Sequence, residues 1–202
     1  MLGSNTSPKI SLRTPVYEGK WLRFVELTCH HNDHTYTWEA VERTTTSNLS
    51  YAGSVEIIPI IHYNSKESEI VLVRQWRPAI NAYVVEWPAG LLDQGEDVET
   101  AAIRELREET GYTASVVHTT PVFASGPSIS ASRGKLVIMK IDGNDTNSLG
   151  NQQLEETECL SVLTLPLSNL YDELEKLGKD GQLVEARLLS FSYGLNFNSF
   201  LK

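Results

Sequence analysis

Between Asp97 and Gly111 the chain reads DVETAAIRELREETG, and three of its glutamates, Glu105, Glu108 and Glu109, fall within five residues. Asp97 is placed to cap a helix, Glu99 sits in its first turn, and Gly111 is placed to end it. At about 100° per residue, setting Glu105 at zero puts Glu109 at about +40° and Glu108 at about −60°. Ala102, Leu106, Thr110 and Ile103 then fall between roughly +60° and +160°. One face is therefore expected in the core, and the neighbouring face carries three carboxylates with only small Ala101 beside them. Like charges at this spacing repel, so a counter-charge is implied. Clustered carboxylates form a hard-oxygen site suited to Mg²⁺ or Mn²⁺. Mg²⁺ keeps waters and bridges to phosphates, which implies a phosphate ester or anhydride as ligand. On the three glutamates alone, a solvated acidic helix face explains the pattern equally well.

The rest of the chain narrows the possibilities. Its 202 residues, 41% hydrophobic and 21% charged, suit one globular domain with at most a small addition. A net charge of −9 argues against nonspecific nucleic-acid binding, and an anionic substrate would have to be drawn in locally. Cys29 and Cys159 have no metal-type spacing and read as plain thiols in a reducing compartment. No apolar run approaches a membrane span, and MLGSNTSPKISLRTP lacks the apolar core of a secretory signal. Residues 1–16 are expected to be polar and disordered. A cytoplasmic location is expected, with nucleus and mitochondrion left open.

KWLRFVELTC and TYTWEAVERTT read as strands flanking HHNDH, a turn or loop. Three clustered histidines, His30, His31 and His34, read there as a solvated turn rather than a metal site. Two or three strands alone are marginal in water, so a small sheet domain over 17–50 must lean on something else. SVEIIPIIHY, EIVLVRQWRP, YVVEWPAG, ASVVHTTPVFAS, KLVIMKIDG and CLSVLTLPL read as further strands, and LSNLYDELEKLGKDG and QLVEARLLSFSYGL as helices. NDTNSLGNQQLEETE reads as a polar loop. Strands in runs with few helices predict an α+β sandwich rather than a doubly wound parallel sheet.

A longer pattern changes the weight of the glutamates. Gly90, five residues, Glu96, seven residues, then Arg104-Glu105-Leu106-x-Glu108-Glu109-x-Gly111-Tyr112 matches the Nudix box at all nine specified positions. Chance would produce that match in about one of ten million chains of this size. Tyr112 is aromatic where aliphatic residues are commoner. The chain is identified by this segment as a member of the Nudix hydrolases. The resemblance implies a mixed sheet between helices, an α/β/α sandwich over 51–202. It implies hydrolysis of a nucleoside diphosphate linked to another moiety. It implies Glu105 and Glu109 as metal ligands, Glu108 as a further ligand direct or through water, and Arg104 and Glu96 as the groups that hold them. A guanidinium bridging carboxylates is physically suited to that task.

Outside the box, EGKWLRF, YTWEAVERTT, VRQWRP and VEWPAG resemble the eukaryotic ADP-sugar pyrophosphatases. Pro127, fifteen residues past Tyr112, matches a marker of that group, although Gly126 stands where some relatives carry an acid. The likeness implies a homodimer with exchanged N-terminal sheet domains, and a nucleotide-sugar substrate. Trp21 and Trp38 would sandwich the adenine, Glu39 would accept from its amino group, and Arg43 and Arg77 would hold the diphosphate. Leu91 and Gly126 would also line the substrate site, and the Ala89 carbonyl would ligate metal. Core or dimer packing for the two Trp, and surface ion pairs for the two Arg, stand as the plain alternatives. Glu158, directly before the strand CLSVLTLPL, would be the general base or a metal ligand, with Glu155 and Glu156 further out. The cofactor implied is Mg²⁺, with Mn²⁺ a possible substitute, and neither nucleic acid nor membrane is a partner. Two other functions stay open: hydrolysis of a different nucleoside diphosphate, such as an oxidised purine nucleotide or a dinucleotide, and a binding module without turnover.

Overall fold

The computed structural model describes residues 7–44 and 52–201. Its contacts divide the chain into two units, one of residues up to Gly53 with Val122–Gly134, the other of Ser54–Pro121 with the remainder. The domain boundary expected at 50/51 lies outside the described residues. That Val122–Gly134 belongs with the first unit was not expected, because nothing local in the sequence marks so long-range an association.

In the first unit, strands β1 (Lys9–Glu18), β2 (Leu22–His31) and β3 (His34–Arg43) form an antiparallel sheet in that order. The expectation of disorder over 1–16 is corrected for Lys9–Val16. β2 supplies the backbone partners, and a register shift between Ile10 and Leu12 turns these two side chains to opposite faces, Ile10 across from Cys29 and Leu12 across from Thr28. Pro15 is accommodated because β1 is an edge strand with a register shift between Pro15 and Tyr17. The histidine segment is not a loop either. His30 and His31 end β2, His34 begins β3, and only Asn32 and Asp33 make the turn. Asn32 takes the left-handed conformation such turns require, at φ 54°. His30 is held by Thr35 Oγ1 at 2.8 Å and Ser11 Oγ at 2.7 Å. Val25, Leu27, Cys29 and Ala40 form this unit's small core. The segment from Val122 packs on β3: Val41 N–H donates to Ile129 O at 2.7 Å and Ala131 N–H to Val41 O at 3.2 Å.

The second unit is built on a mixed sheet. Its strands are β4 (Ser54–His62), β5 (Glu69–Arg77), β6 (Ala82–Glu86), β7 (Ala89–Leu91) and β8 (Ser115–Thr119). After the short β9 (Phe123–Ala124) of the first unit come β10 (Arg133–Asp142), β11 (Leu160–Pro166) and β12 (Leu183–Val184). The order is β12-β6-β5-β4-β10-β8, with β11 also paired to β5 and β7 to β4. Helix α1 (Val98–Thr110) covers one face, and α2 (Leu170–Lys179) and α3 (Ala186–Leu195) cover the other. Strand alternation feeds both layers. Val55, Ile57, Val137 and Met139 meet Ala101, Ala102 and Leu106 of α1, while Ile58, Ile70, Leu72, Val85 and Trp87 meet Leu170, Leu174 and Leu188. This is the expected α+β sandwich with a separate small antiparallel sheet.

Three local expectations shift. YVVEWPAG divides at Trp87–Pro88 into β6 and β7, since Pro88 cannot donate to a ladder. ASVVHTTPVFAS likewise breaks around Pro121 into β8 and β9. The helix expected from Gln182 begins only at Ala186, because Leu183 and Val184 pair parallel with Val84 and Val85 and Glu185 becomes the cap.

Candidate active site

Helix α1 begins where the sequence places its cap. The Asp97 carboxylate accepts from Glu99 N–H at 3.0 Å and Thr100 N–H at 3.1 Å. The helix ends at Gly111, φ 77°, where an added Cβ would lie 2.3 Å from Gly150 O. Of the residues expected on its core face, Ala102, Leu106 and Thr110 are buried, but Ile103 is 45% exposed. Ile103 lies at the far margin of the apolar arc and lines an open cavity of about 420 Å³ with Thr100, Arg104, Arg107, Glu108 and Gln153.

Arg104 organises the acidic face. Its Nε and Nη2 grip Glu96 Oε1 and Oε2 at 2.9 and 2.8 Å. Its Nη1 donates to Glu105 Oε1 at 2.9 Å and Glu108 Oε2 at 3.1 Å, and Nη2 also reaches Leu91 O at 3.0 Å. This bidentate grip holds Glu96 below the usual carboxylate range, and the surrounding acids raise the Arg104 pKa. Glu96 is fixed in turn by Asp93 N–H at 3.0 Å. Gly90 passes so close to Glu105 that an added Cβ would stand 1.9 Å from its carboxylate. Only glycine permits that approach.

Glu109 is 2% exposed, and its Oε2 accepts from Ala89 N–H at 3.0 Å. Burial pushes its pKa up to about 8, against the Ala89 hydrogen bond, with the Glu105 and Glu158 charges adding to the rise. Burial also raises Glu105, against Arg104, with Glu108 and Glu158 again adding. Glu105, Glu109 and Glu158 thus share one electrostatic neighbourhood, and Arg77 acts on Glu109 in the opposite sense. Among the described residues no three acidic, histidine or cysteine side chains converge tightly enough to cage an ion as they stand. Arg104 draws Glu105 and Glu108 to itself, and Glu158 Oε2 accepts from Glu155 N–H at 2.9 Å. The donor set nonetheless fits a hard divalent cation. Two buried carboxylates lack a full counter-charge, and the donors are oxygens only.

Two residues of this site gave no signal in the sequence. Gln152 Nε2 donates to Glu109 O at 2.6 Å, and Gln153 N–H to Glu108 O at 2.8 Å. They pin the loop after Gly150 against the end of α1, placing the approach to Glu158.

Matching the chain to known families gives the NUDIX domain over residues 55–188. The chain belongs to the Nudix family. A mouse protein named ADP-sugar pyrophosphatase is 34% identical over 183 residues, covering 89% of this chain and 83% of its own. A Saccharomyces cerevisiae protein named ADP-ribose pyrophosphatase is 34% identical over 160 residues, covering 78% of this chain and 69% of its own. A crystal structure described as an ADP compounds hydrolase superposes with a TM-score of 0.68 at 23% identity, covering 97% of this chain and 95% of that one. That last likeness concerns the fold. The Nudix helix is α1, and the chain is a Nudix hydrolase with its box complete.

The remaining expected substrate residues fall in both units. In the first, Trp38 is half-exposed, and its Nε1 donates to Ser128 O at 3.0 Å. It lines a cavity of about 270 Å³ with Leu27, Ala40, Pro127 and Ile129. Gly126 turns that loop at φ 60°, its carbonyl accepting from Ile129 and Ser130 N–H. Trp21 is 60% exposed with the Lys20 ammonium 4.5 Å from its ring centroid. Glu39 and Arg43 are exposed on β3. In the second unit Arg77 pairs with Glu86 at 2.7 Å, and Leu91 is partly exposed at the Arg104 clamp.

Proposed function

We propose that this Nudix hydrolase cleaves the diphosphate of ADP-ribose and related ADP-sugars, using Mg²⁺. The observation that carries this reading is the oxygen-only face beside the Ala89–Leu91 strand, where Arg104 clamps Glu105 and Glu108 and the Ala89 N–H holds Glu109. The names of the relatives favour an ADP-linked substrate over other nucleoside diphosphates. Glu105, Glu109 and the Ala89 carbonyl would hold the cation, with Glu108 completing its shell. When bound, Mg²⁺ neutralises the diphosphate and stabilises the charge that builds on it during displacement.

The chain's own groups supply the rest. Arg77, fixed by Glu86, presents its remaining N–H groups to a diphosphate oxygen, and Arg43 adds a second guanidinium. Trp21 and Trp38 offer flat faces for the adenine, and Glu39 an acceptor for its amino group. Glu158 takes the proton from the attacking water. One P–O bond of the anhydride breaks, and water adds across it to give AMP and ribose 5-phosphate. The exposed apolar residues of the first unit, Ile10, Leu12, Val16 and Trp21, favour a homodimer in which each first unit serves the other chain's carboxylates. Mg²⁺-dependent turnover of ADP-ribose against ADP-glucose, ADP-mannose and NADH, run in isotopically labelled water, tests this reading. Release of AMP with ADP-ribose preferred supports it, and preference for a non-ADP nucleotide refutes it.

A further inference from the structure

Strand β4 carries one acid in an otherwise apolar run, SVEIIPII, and that residue, Glu56, is 8% exposed. Its Oε1 is 2.7 Å from Arg187 Nη1, and its Oε2 is buried without a hydrogen-bond partner. Arg187 stands in the first turn of α3. Its Nε is 2.9 Å from Glu185 Oε1, while Glu185 Oε2 accepts from the Arg187 and Leu188 N–H groups as the helix cap. Glu185 N–H in turn donates to Val85 O at 2.9 Å. The α3 terminus is thereby locked to β6, with its guanidinium aimed at β4.

What lies opposite Glu56 gives the pair its meaning. In the β4–β7 ladder Glu56 faces Ala89, and Ile57 N–H donates to Pro88 O at 2.9 Å. Ala89 N–H holds Glu109, and Gly90 abuts the Glu105 carboxylate. The ladder is short, joining Ser54, Val55 and Glu56 to Leu91, Gly90 and Ala89. With Arg187 gone, the Glu56 carboxylate must be hydrated, re-paired or protonated, and each of these disturbs the packing beside Ala89, its partner in a ladder of only three residues.

We propose that Arg187, acting through Glu56, is a positioning residue for the Ala89–Leu91 strand and so for the carboxylate site. This rests on the reading of that site as a metal centre only in its consequence for metal affinity; the effect on the strand stands apart from it. The same terminus reaches Arg77 as well, since Glu86, its ion-pair partner, lies in the electrostatic field of Glu185 and Arg187.

The test uses the full chain with Arg187→Met, Arg187→Lys, Glu56→Gln and the double variant Arg187→Met/Glu56→Gln. Amide hydrogen exchange followed by mass spectrometry reads the Ala89–Leu91 strand against β5 as internal control, and calorimetric titration with Mn²⁺ reads the site. In Arg187→Met, exchange is expected to rise in Ala89–Leu91 with β5 unchanged. Mn²⁺ affinity should fall about tenfold, the lower end of what loss of a group behind a metal ligand causes. Arg187→Lys should lie between Arg187→Met and wild type. Removing the stranded charge in the double variant should restore both readouts to near wild type. Unchanged exchange in Arg187→Met overturns the proposal, and so does a double variant as impaired as the single one. A lower melting temperature with normal exchange at Ala89–Leu91 also overturns it, as a purely structural role. If wild type itself fails to bind Mn²⁺, the metal reading falls, while the exchange arm still decides the positioning role.

Discussion

Glu109 concentrates the chemistry of this molecule in one side chain, buried at 2% exposure yet required as an anion if it holds a cation. Glu109→Gln preserves its shape and the Ala89 N–H contact while removing the charge. Turnover of ADP-ribose should fall by several orders of magnitude with the fold intact, since a metal clamp supplies several kcal/mol at the transition state. Initial rates alongside circular dichroism check both halves, and turnover within about tenfold of wild type would exclude Glu109 as a ligand. The same burial gives the metal-free protein a pH signature. Glu109 and Glu56 have pKa values raised to about 8 and about 7, mainly by desolvation, above the value of 4.5 they take when exposed. A raised acid binds more protons folded than unfolded, so its stabilising contribution is complete below that exposed value and is lost as pH rises through the folded one. Metal-free protein should therefore lose melting temperature between pH 5 and pH 8. Mg²⁺ should raise the melting temperature more at pH 8 than at pH 5, because it competes with protons for Glu109. A Mg²⁺ effect larger at the acid end would contradict this assignment.

At the scale of elements, α1 and the loop before β11 play unequal parts. The helix is capped at both ends, whereas the loop is pinned to its C-terminal end at residues 148–150, Gln152 and Gln153 and then runs on to Glu158. Glu158 also closes its own turn, its carboxylate accepting from Glu155 N–H and its N–H donating to Glu155 O. Glu158→Gln can keep the first contact through its amide oxygen, so the substitution isolates charge from shape. It should lower kcat by about 10²–10⁴ with little change in KM, whereas Glu155→Gln and Glu156→Gln should stay near wild type. Steady-state kinetics on the three variants decide, and loss at Glu155 or Glu156 with Glu158→Gln active would assign the base role to that residue and not to Glu158. The contrast also marks what a sequence discloses. Helix α1 was legible to the residue because cap, period and C-terminal glycine are all local signals. Gly90, Glu96 and Arg104 were legible because a fixed spacing encodes their contacts. Gln152, Gln153, Glu56 and Arg187 were not, since each acts through a contact far away in the chain. The acid inside SVEIIPII was the one visible hint, a charge in a strand whose following residues are apolar on both faces. Strand β1 was misread because Pro15 and a polar neighbourhood mask it, and because its two register shifts break the alternation that would mark a strand.

The molecule as a whole carries a net charge of −9, so its field opposes an anionic nucleotide sugar, and binding depends on groups gathered at the site. The first unit is poorly provided to stand alone. Its buried core is Val25, Leu27, Cys29 and Ala40, while β1 is exposed along its whole length. A sheet so thinly buried gains stability from a partner surface, and a second copy of the chain is the partner proposed here. That arrangement has a consequence which a self-contained monomer cannot imitate. Trp38→Ala should raise KM for ADP-ribose, a stacked base contributing roughly 1–3 kcal/mol, and Glu109→Gln should abolish turnover. If base and metal at one site are held by different chains, a heterodimer of the two variants contains one intact site and one doubly damaged site. Unfolding the two variants together at equal amounts and refolding them should recover about one quarter of wild-type activity at low substrate, half the dimers being mixed with one good site each. If each chain builds its own site, no mixture exceeds the average of its parents, and the exchanged-dimer reading is lost. Sedimentation of the same samples shows whether dimers formed, so an absence of recovery cannot be blamed on failed assembly.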